Sequence, residues 1–477
     1  MYNVAVGHNA GGDVTTGTYN TFVGGLSGDA TTTGSRNNAF GAVSLSANTT
    51  GQYNTTMGHA SMASNTTGSN NVALGYDALN SNTTASENTA VGYQSLYSNT
   101  TGQENTAVGK GALNYNTTAN GNTAIGRMAL NYNTTGAGNT AVGLQALISN
   151  QTASNNVAIG KNSLSANTTG ESNVALGVNA LDASTTGNYN TAVGDHFLSA
   201  NTTASSNTAM GQASLFYNTT GATNVAIGRD ALHFNTTADN NTAVGHQAAY
   251  SNTTGAENVA VGRSALFTQT TGTQNTALGW QAGYNVTTGT ANVLLGKNAG
   301  SSLTTPNQNT FVGHGCASTI TTGANNTIIG GYNGNMGGLD IRTSSNNIVL
   351  SDGDGNPRQI IDSSGNLLVG TPSVLGSGKV SIKYASNTET GIAIQSTIES
   401  FNTAVQFLNT SGTQVGTINT GTSSTAYNTS SDYRLKEDWT PMVGASERVL
   451  DLKPVNFAWK VDGSRVDGFL AHELQEV

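Results

Sequence analysis

Glu87 and Glu104 are the pair in this sequence that comes nearest to a hydrolytic site, because cleavage of a sugar linkage needs two carboxylates roughly 5 to 9.5 Å apart. They stand 17 residues apart in a chain that repeats every 17 residues, so stacking of successive units would bring them into that range. Both occupy the last position of their unit, among turn-forming residues, and fit two solvated turn carboxylates better than a catalytic pair. Asp352 and Asp354, followed by Gly355, resemble part of a calcium loop. The downstream acidic ligand of such a loop is missing, and Asp-Gly is the chemistry of a tight hairpin turn. The lone Cys316 excludes an intrachain disulfide framework and takes a position where Ala or Ser usually stands, as a buried filler does. Tyr115, Tyr132, Tyr217 and Phe234 share the eleventh position of their units and are candidates for stacking on sugars or for packing between chains. No cofactor and no metal-ligating set is indicated.

The elements that would position these residues follow from the repeat. Asn recurs every 17 residues from Asn3 to Asn326, in 20 copies, and a Gly follows four residues after each, from Gly7 to Gly330. The residue before that Gly is always apolar, giving a consensus N-T-A-V-G-x-x-A-L-x-x-N-T-T-G-x-x. A disordered polar tract has no reason to hold an apolar residue in register 20 times. Seventeen residues are too few for a helical hairpin and suit two short strands with two turns. The expected fold is therefore all-β, a parallel β-solenoid whose Asn column bonds amide to amide between coils.

Two columns exchange volume. Where the ninth position is Leu or Met, the third is small; Phe22 goes with Gly28, Leu294 with Gly300, Phe311 with Ala317 and Ile328 with Gly334. Close packing requires such exchange if both positions share one space. Ala at two positions per coil suggests a flat face of small side chains for packing against another chain, and a homotrimer is the expected assembly.

Composition limits the function classes. Charged residues make up 9% and the net charge is −9, so the basic footprint of a nucleic-acid binder is missing. No run approaches 18 consecutive apolar residues, which leaves no membrane span. After the repeats, SDGDGNPRQIIDSSGNLLVG reads as hairpins, and KVSIKY, TAVQFLN and TQVGTINT alternate like strands. Charge then rises sharply: residues 431–477 hold 15 charged residues against 18 in residues 1–330.

The N-T-A-V-G and A-L pattern over residues 3–342 resembles the head repeats of YadA-type trimeric adhesins, which implies a trimeric β-roll. Residues 343–430 would form a hairpin-rich shaft, with fold-level likeness to the β-shaft of a trimeric phage fibre. SDYRLK, LKPVNFAWK and GFLAHELQEV, in that order, resemble the intramolecular chaperone of endosialidase-type phage tailspikes, so residues 431–477 would be the N-terminal part of that α+β domain, in a truncated chain. That resemblance implies trimerisation, maturation of a β-rich fibre and self-cleavage between Ser430 and Ser431. Ser431 would be the nucleophile and Lys436 its base, since a hydroxyl is a weak nucleophile until a base takes its proton. The implied protein is a virion tail fibre. Its partners would be tail proteins and a bacterial surface glycan or other receptor. A bacterial trimeric adhesin and an ice-binding solenoid with Thr-Thr arrays are the alternatives.

Overall fold

In the computed structural model the described residues are 2–376, 379–383, 402–420, 425–429, 440–458, 463 and 465–469. The chain divides into two compact units, Met1–Glu389 and Thr390–Val477.

The first unit is the expected parallel β-solenoid. Twenty strands, β1 (Val4–Val6) through β20 (Thr327–Ile329), take the second to fourth positions of successive coils. Each pairs in parallel with the next at an offset of one repeat, as Thr106 with Thr123 and Val108 with Ile125 illustrate. From β2 onward the middle residue of each of these strands points inward and is buried, Ala107 and Ala124 among them, while its two neighbours face out; in β1 the middle residue, Ala5, is exposed.

Two columns of Asn hold the coils. Asn105 donates its side-chain amide to the carbonyl of Ala119, which closes its own coil at 2.9 Å, and its backbone N–H donates to Oδ1 of Asn88 at 3.0 Å. Its own Oδ1 accepts the N–H of Asn122 at 3.0 Å, so one side chain serves three coils. The second column lies at the twelfth position. Asn116 donates to Asn99 Oδ1 at 2.9 Å and to the same Ala119 carbonyl at 3.1 Å. These side chains are fully buried, and buried amides are stable only when partnered in this way.

Three expectations need correction. The A-L-x-x-N segment is not a second strand: Leu113, at its centre, has φ +49°, a left-handed conformation that an extended strand excludes. The Ala columns at the third and eighth positions do not form an outer face, because Ala107 and Ala112 lie wholly inside the coil. Ile328 and Gly334 do not share a space, since a Cβ on Gly334 would meet Ile320 instead, at 2.8 Å. Two other exchanges hold: a Cβ on Gly28 would stand 2.5 Å from the Phe22 ring, and one on Gly300 would stand 2.9 Å from Leu294. Gly at the fifth position is required twice over. It adopts φ from +112° to +145°, and a Cβ on Gly109 would lie 2.5 Å from the Gly126 carbonyl oxygen of the next coil.

After β20 a small antiparallel pair, β21 (Asn335–Met336) and β22 (Leu339–Asp340), loops out. β23 (Ile348–Ser351) then rejoins the solenoid in parallel with β20, and Asn347 extends the Asn column by donating its N–H to Asn326 Oδ1 at 2.9 Å. The hairpins expected next are present, with β24 (Pro357–Ile361) and β25 (Leu367–Val369) antiparallel to their predecessors and β26 (Val380–Ile382) parallel to β25.

In the second unit β27 (Asn402–Leu408), β28 (Gln414–Thr420) and β29 (Thr425–Thr429) make an antiparallel meander. α1 (Ala445–Asp451) is a short helix, and β30 (Val455–Ala458) pairs with β31 (Arg465–Gly468).

Candidate functional site

Ser430, Ser431 and Lys436 lie outside the described residues, so the structure assigns them no geometry. Glu87 and Glu104 are both exposed turn residues with positive φ, and neither lines a cavity among those found. Asp352 belongs to the β23–β24 turn rather than to a metal site. Its Oδ1 accepts the backbone N–H of Asn356 at 2.8 Å, and its Oδ2 accepts the Arg358 guanidinium at 2.5 and 3.1 Å. The amide of Asn356, its backbone N–H and Arg358 together hold the carboxyl at about 2. Among the described residues no group of three or more His, Cys, Asp or Glu is placed to hold a metal ion. Cys316 is buried and its thiol is pushed up to about 12 by burial, which removes the thiolate that reactivity requires.

The eleventh-position aromatics stand outside the coil, but they stack on each other. Tyr115 and Tyr132 lie 5.4 Å apart and Tyr217 and Phe234 5.3 Å apart, nearly parallel in both pairs. The two facing ring faces of each pair cover one another and are closed to a sugar, which leaves the outer faces and the edges. The hydroxyl column at the thirteenth position is also occupied: Thr117 donates to the carbonyl of Thr134 at 3.1 Å, as its counterparts do along the solenoid.

A longer aromatic column lies at the tenth position, where Phe216, His233, Tyr250, Phe267 and Tyr284 stack in five successive coils at 5.1 to 5.6 Å. It escaped the reading of the sequence, although the same 17-residue spacing marks it. Its upper end borders a coil whose interior departs from the pattern at the eighth position. Phe197 occupies an eighth position otherwise held by small residues, and its ring presses against Gly194, where a Cβ would lie 1.5 Å from it. Elsewhere the fifth-, seventh- and ninth-position amides bond to the neighbouring coil, as in Gly194 to Leu176, His196 to Val178 and Leu181 to Phe197. In this fully described stretch the matching bonds from Gly211, Ala213 and Leu198 are missing. Ser184 and Ser214 hydroxyls and Asp182 Oδ1 are buried there without partners. Desolvation by burial raises the Asp182 carboxyl above its ordinary value, and the nearby His196 partly offsets it. The wedge opens a groove of about 620 Å³ lined by Asp195, His196, Phe197, Gln212, Ala213 and Phe216.

One face of the solenoid stays apolar and uncovered. The fourth-position side chains Met57, Ile125, Ile159 and Ile329 are 55%, 41%, 41% and 47% exposed and belong to one column that is apolar in every coil. No helix among the described residues is long and apolar enough to cross a membrane.

Among protein families, a model described as the chaperone of endosialidase matches residues 431–477. No match was found among curated proteins or among solved structures.

Proposed function

We propose, with that C-terminal chaperone segment as the premise, that the chain is a homotrimeric phage tail fibre that contacts the bacterial host surface. In this reading residues 3–342 form the YadA-like rod and residues 343–430 the shaft. Residues 431–477 belong to the chaperone that trimerises and matures them. The observation that carries the reading is the conjunction of a long, uniform β-solenoid with an endosialidase-type chaperone segment downstream of it.

The outward fourth-position column supports the trimer. If each of its 20 side chains buries on the order of 60 Å², the seam takes up roughly 1,200 Å² per protomer, above the ~800 Å² per partner of a standard interface. An apolar stripe of that length left in water would be an aggregation hazard, and closed three-fold packing removes it. Maturation is a single-turnover acyl transfer. The Ser431 hydroxyl, with its proton taken by Lys436, attacks the Ser430 carbonyl, and the chaperone leaves with the Ser431 amine after hydrolysis of the ester. The fibre is the virion's, with tail proteins at one end and a surface receptor as its target.

Intact mass of the full-length gene product under denaturing conditions tests this. A product ending at Ser430, lost in Ser431→Ala, together with a trimeric mass by sedimentation, is expected. An uncut monomer would overturn the reading.

A further inference from the structure

We infer that the groove opened by Phe197 is a saccharide subsite that takes one pyranose ring on the free face of Phe216. The first observation is the terminal position of that ring. Phe216 stacks on His233 on one side, at 5.6 Å, while the next place in the column on the other side belongs to Ser199, which has no ring to offer. Above Ser199 the column holds Asp182. Ser199 leaves the upper face of Phe216 without a stacked ring, and the groove reaches Phe216 from the side of Asp195, His196 and Phe197.

The second observation is the cost of building the slot. The coil at residues 190–206 gives up its backbone bonds to the next coil on this side, and the Ser214 hydroxyl of that next coil is left buried and unpartnered. Among the described coils these three bonds are lost together at this junction alone, with Phe197 as the wedge, which marks a site rather than an accident of packing. The third is the lining. An aromatic face surrounded by the Asp195 carboxylate, the His196 imidazole and the Gln212 amide matches a pyranose, which has an apolar C–H face and a rim of hydroxyls. The carboxylate and the amide carbonyl accept from hydroxyls, and the amide N–H donates to them. The stacked Tyr115 and Tyr132 border a smaller cavity, of about 220 Å³, whose lining includes Lys110 and Asn114 but no carboxylate.

The site rests on the reading of the chain as a surface-contacting fibre, and saturation-transfer NMR tests it. The probes are the methyl pyranosides of glucose, galactose and mannose, with their open-chain alditols as controls. Transfer to the ring C–H protons of at least one pyranoside and none to the alditols is expected. Phe216→Ala removes the platform and Ser199→Tyr places a ring in the empty place; each should weaken binding about tenfold or more. Ser199→Tyr continues an existing stack, so it keeps the test valid if Phe216→Ala fails to fold. No transfer to any pyranoside, or transfer unchanged in Ser199→Tyr, overturns the site. Trimer mass and cleavage measured on the same samples separate the two readings. Intact assembly without pyranoside binding sinks the subsite alone, and pyranoside binding by an uncut monomer sinks the fibre alone.

Discussion

At the scale of the residue, the chain uses chemically familiar groups for structural ends. Cys316 fills a coil interior, donating weakly to the Ile328 carbonyl at 3.5 Å. With its thiol held up to about 12, it should resist iodoacetamide in the native protein at pH 8 and react stoichiometrically once denatured, as mass shift will show. Labelling of the native protein at a free-thiol rate would contradict the burial. Asp352 has the opposite shift. Its carboxyl is held at about 2 in the fold against 3.8 ordinarily, so the contribution of the turn is complete above about pH 4 and lost as the pH falls through about 2. The amide proton of Asn356, which that carboxylate accepts, should report a titration near 2 by NMR, displaced upward in Arg358→Ala. The reading of both residues could be made from sequence because each rests on a local rule: a small residue in a small-residue column, and Asp before a turn glycine. The left-handed residues at the seventh and seventeenth positions, Val43, Tyr19 and Glu87 among them, could not be read in this way. Their side chains carry no preference for that conformation, and only closure of a 17-residue coil imposes it.

At the scale of the element, one coil is stable because its third and ninth positions fill a single space. Phe22→Ala should leave a cavity and cost about 2 to 5 kcal/mol, while Gly28→Leu should cost a similar amount by clashing with the Phe22 ring. The double variant restores the pairing of the interior coils and should recover most of the loss in thermal or denaturant unfolding. Additive losses would mean that the two positions do not share one space. The exchange was legible from volumes alone. The pairing of Ile328 with Gly334 misled because the chain leaves the repeat after β20 and Ile320 takes the space. The groove was half legible: Phe197 is plainly foreign to its column, but the coil bonds it breaks and the unpaired face of Phe216 emerge only when the coils are stacked.

At the scale of the whole molecule, the Ala columns suggested a docking face, but they lie inside the coil and the apolar column that faces out is the fourth-position one. Alternation along a strand explains the error, since the Ala between two outward neighbours must point inward. Ile125, Ile159 and Ile227 point away from the coil interior, so replacing all three by Lys should leave the coils folded by circular dichroism. It should shift the assembly from trimer to monomer in sedimentation, because uncompensated charge cannot be buried at a seam. A trimer that persists would place the contact elsewhere. The parallel stacking of the solenoid was readable at this scale because each coil touches only its neighbours, so one unit's pairing is repeated along the rest.

The shared Asn bonding has one more consequence. Every junction between regular coils is chemically the same junction, so a whole unit gained or lost by unequal recombination within the gene leaves all remaining contacts satisfied. Each such event would change the solenoid's length by one strand spacing, roughly 4.8 Å, which gives the lineage a means of adjusting reach in even steps without inventing a new fold.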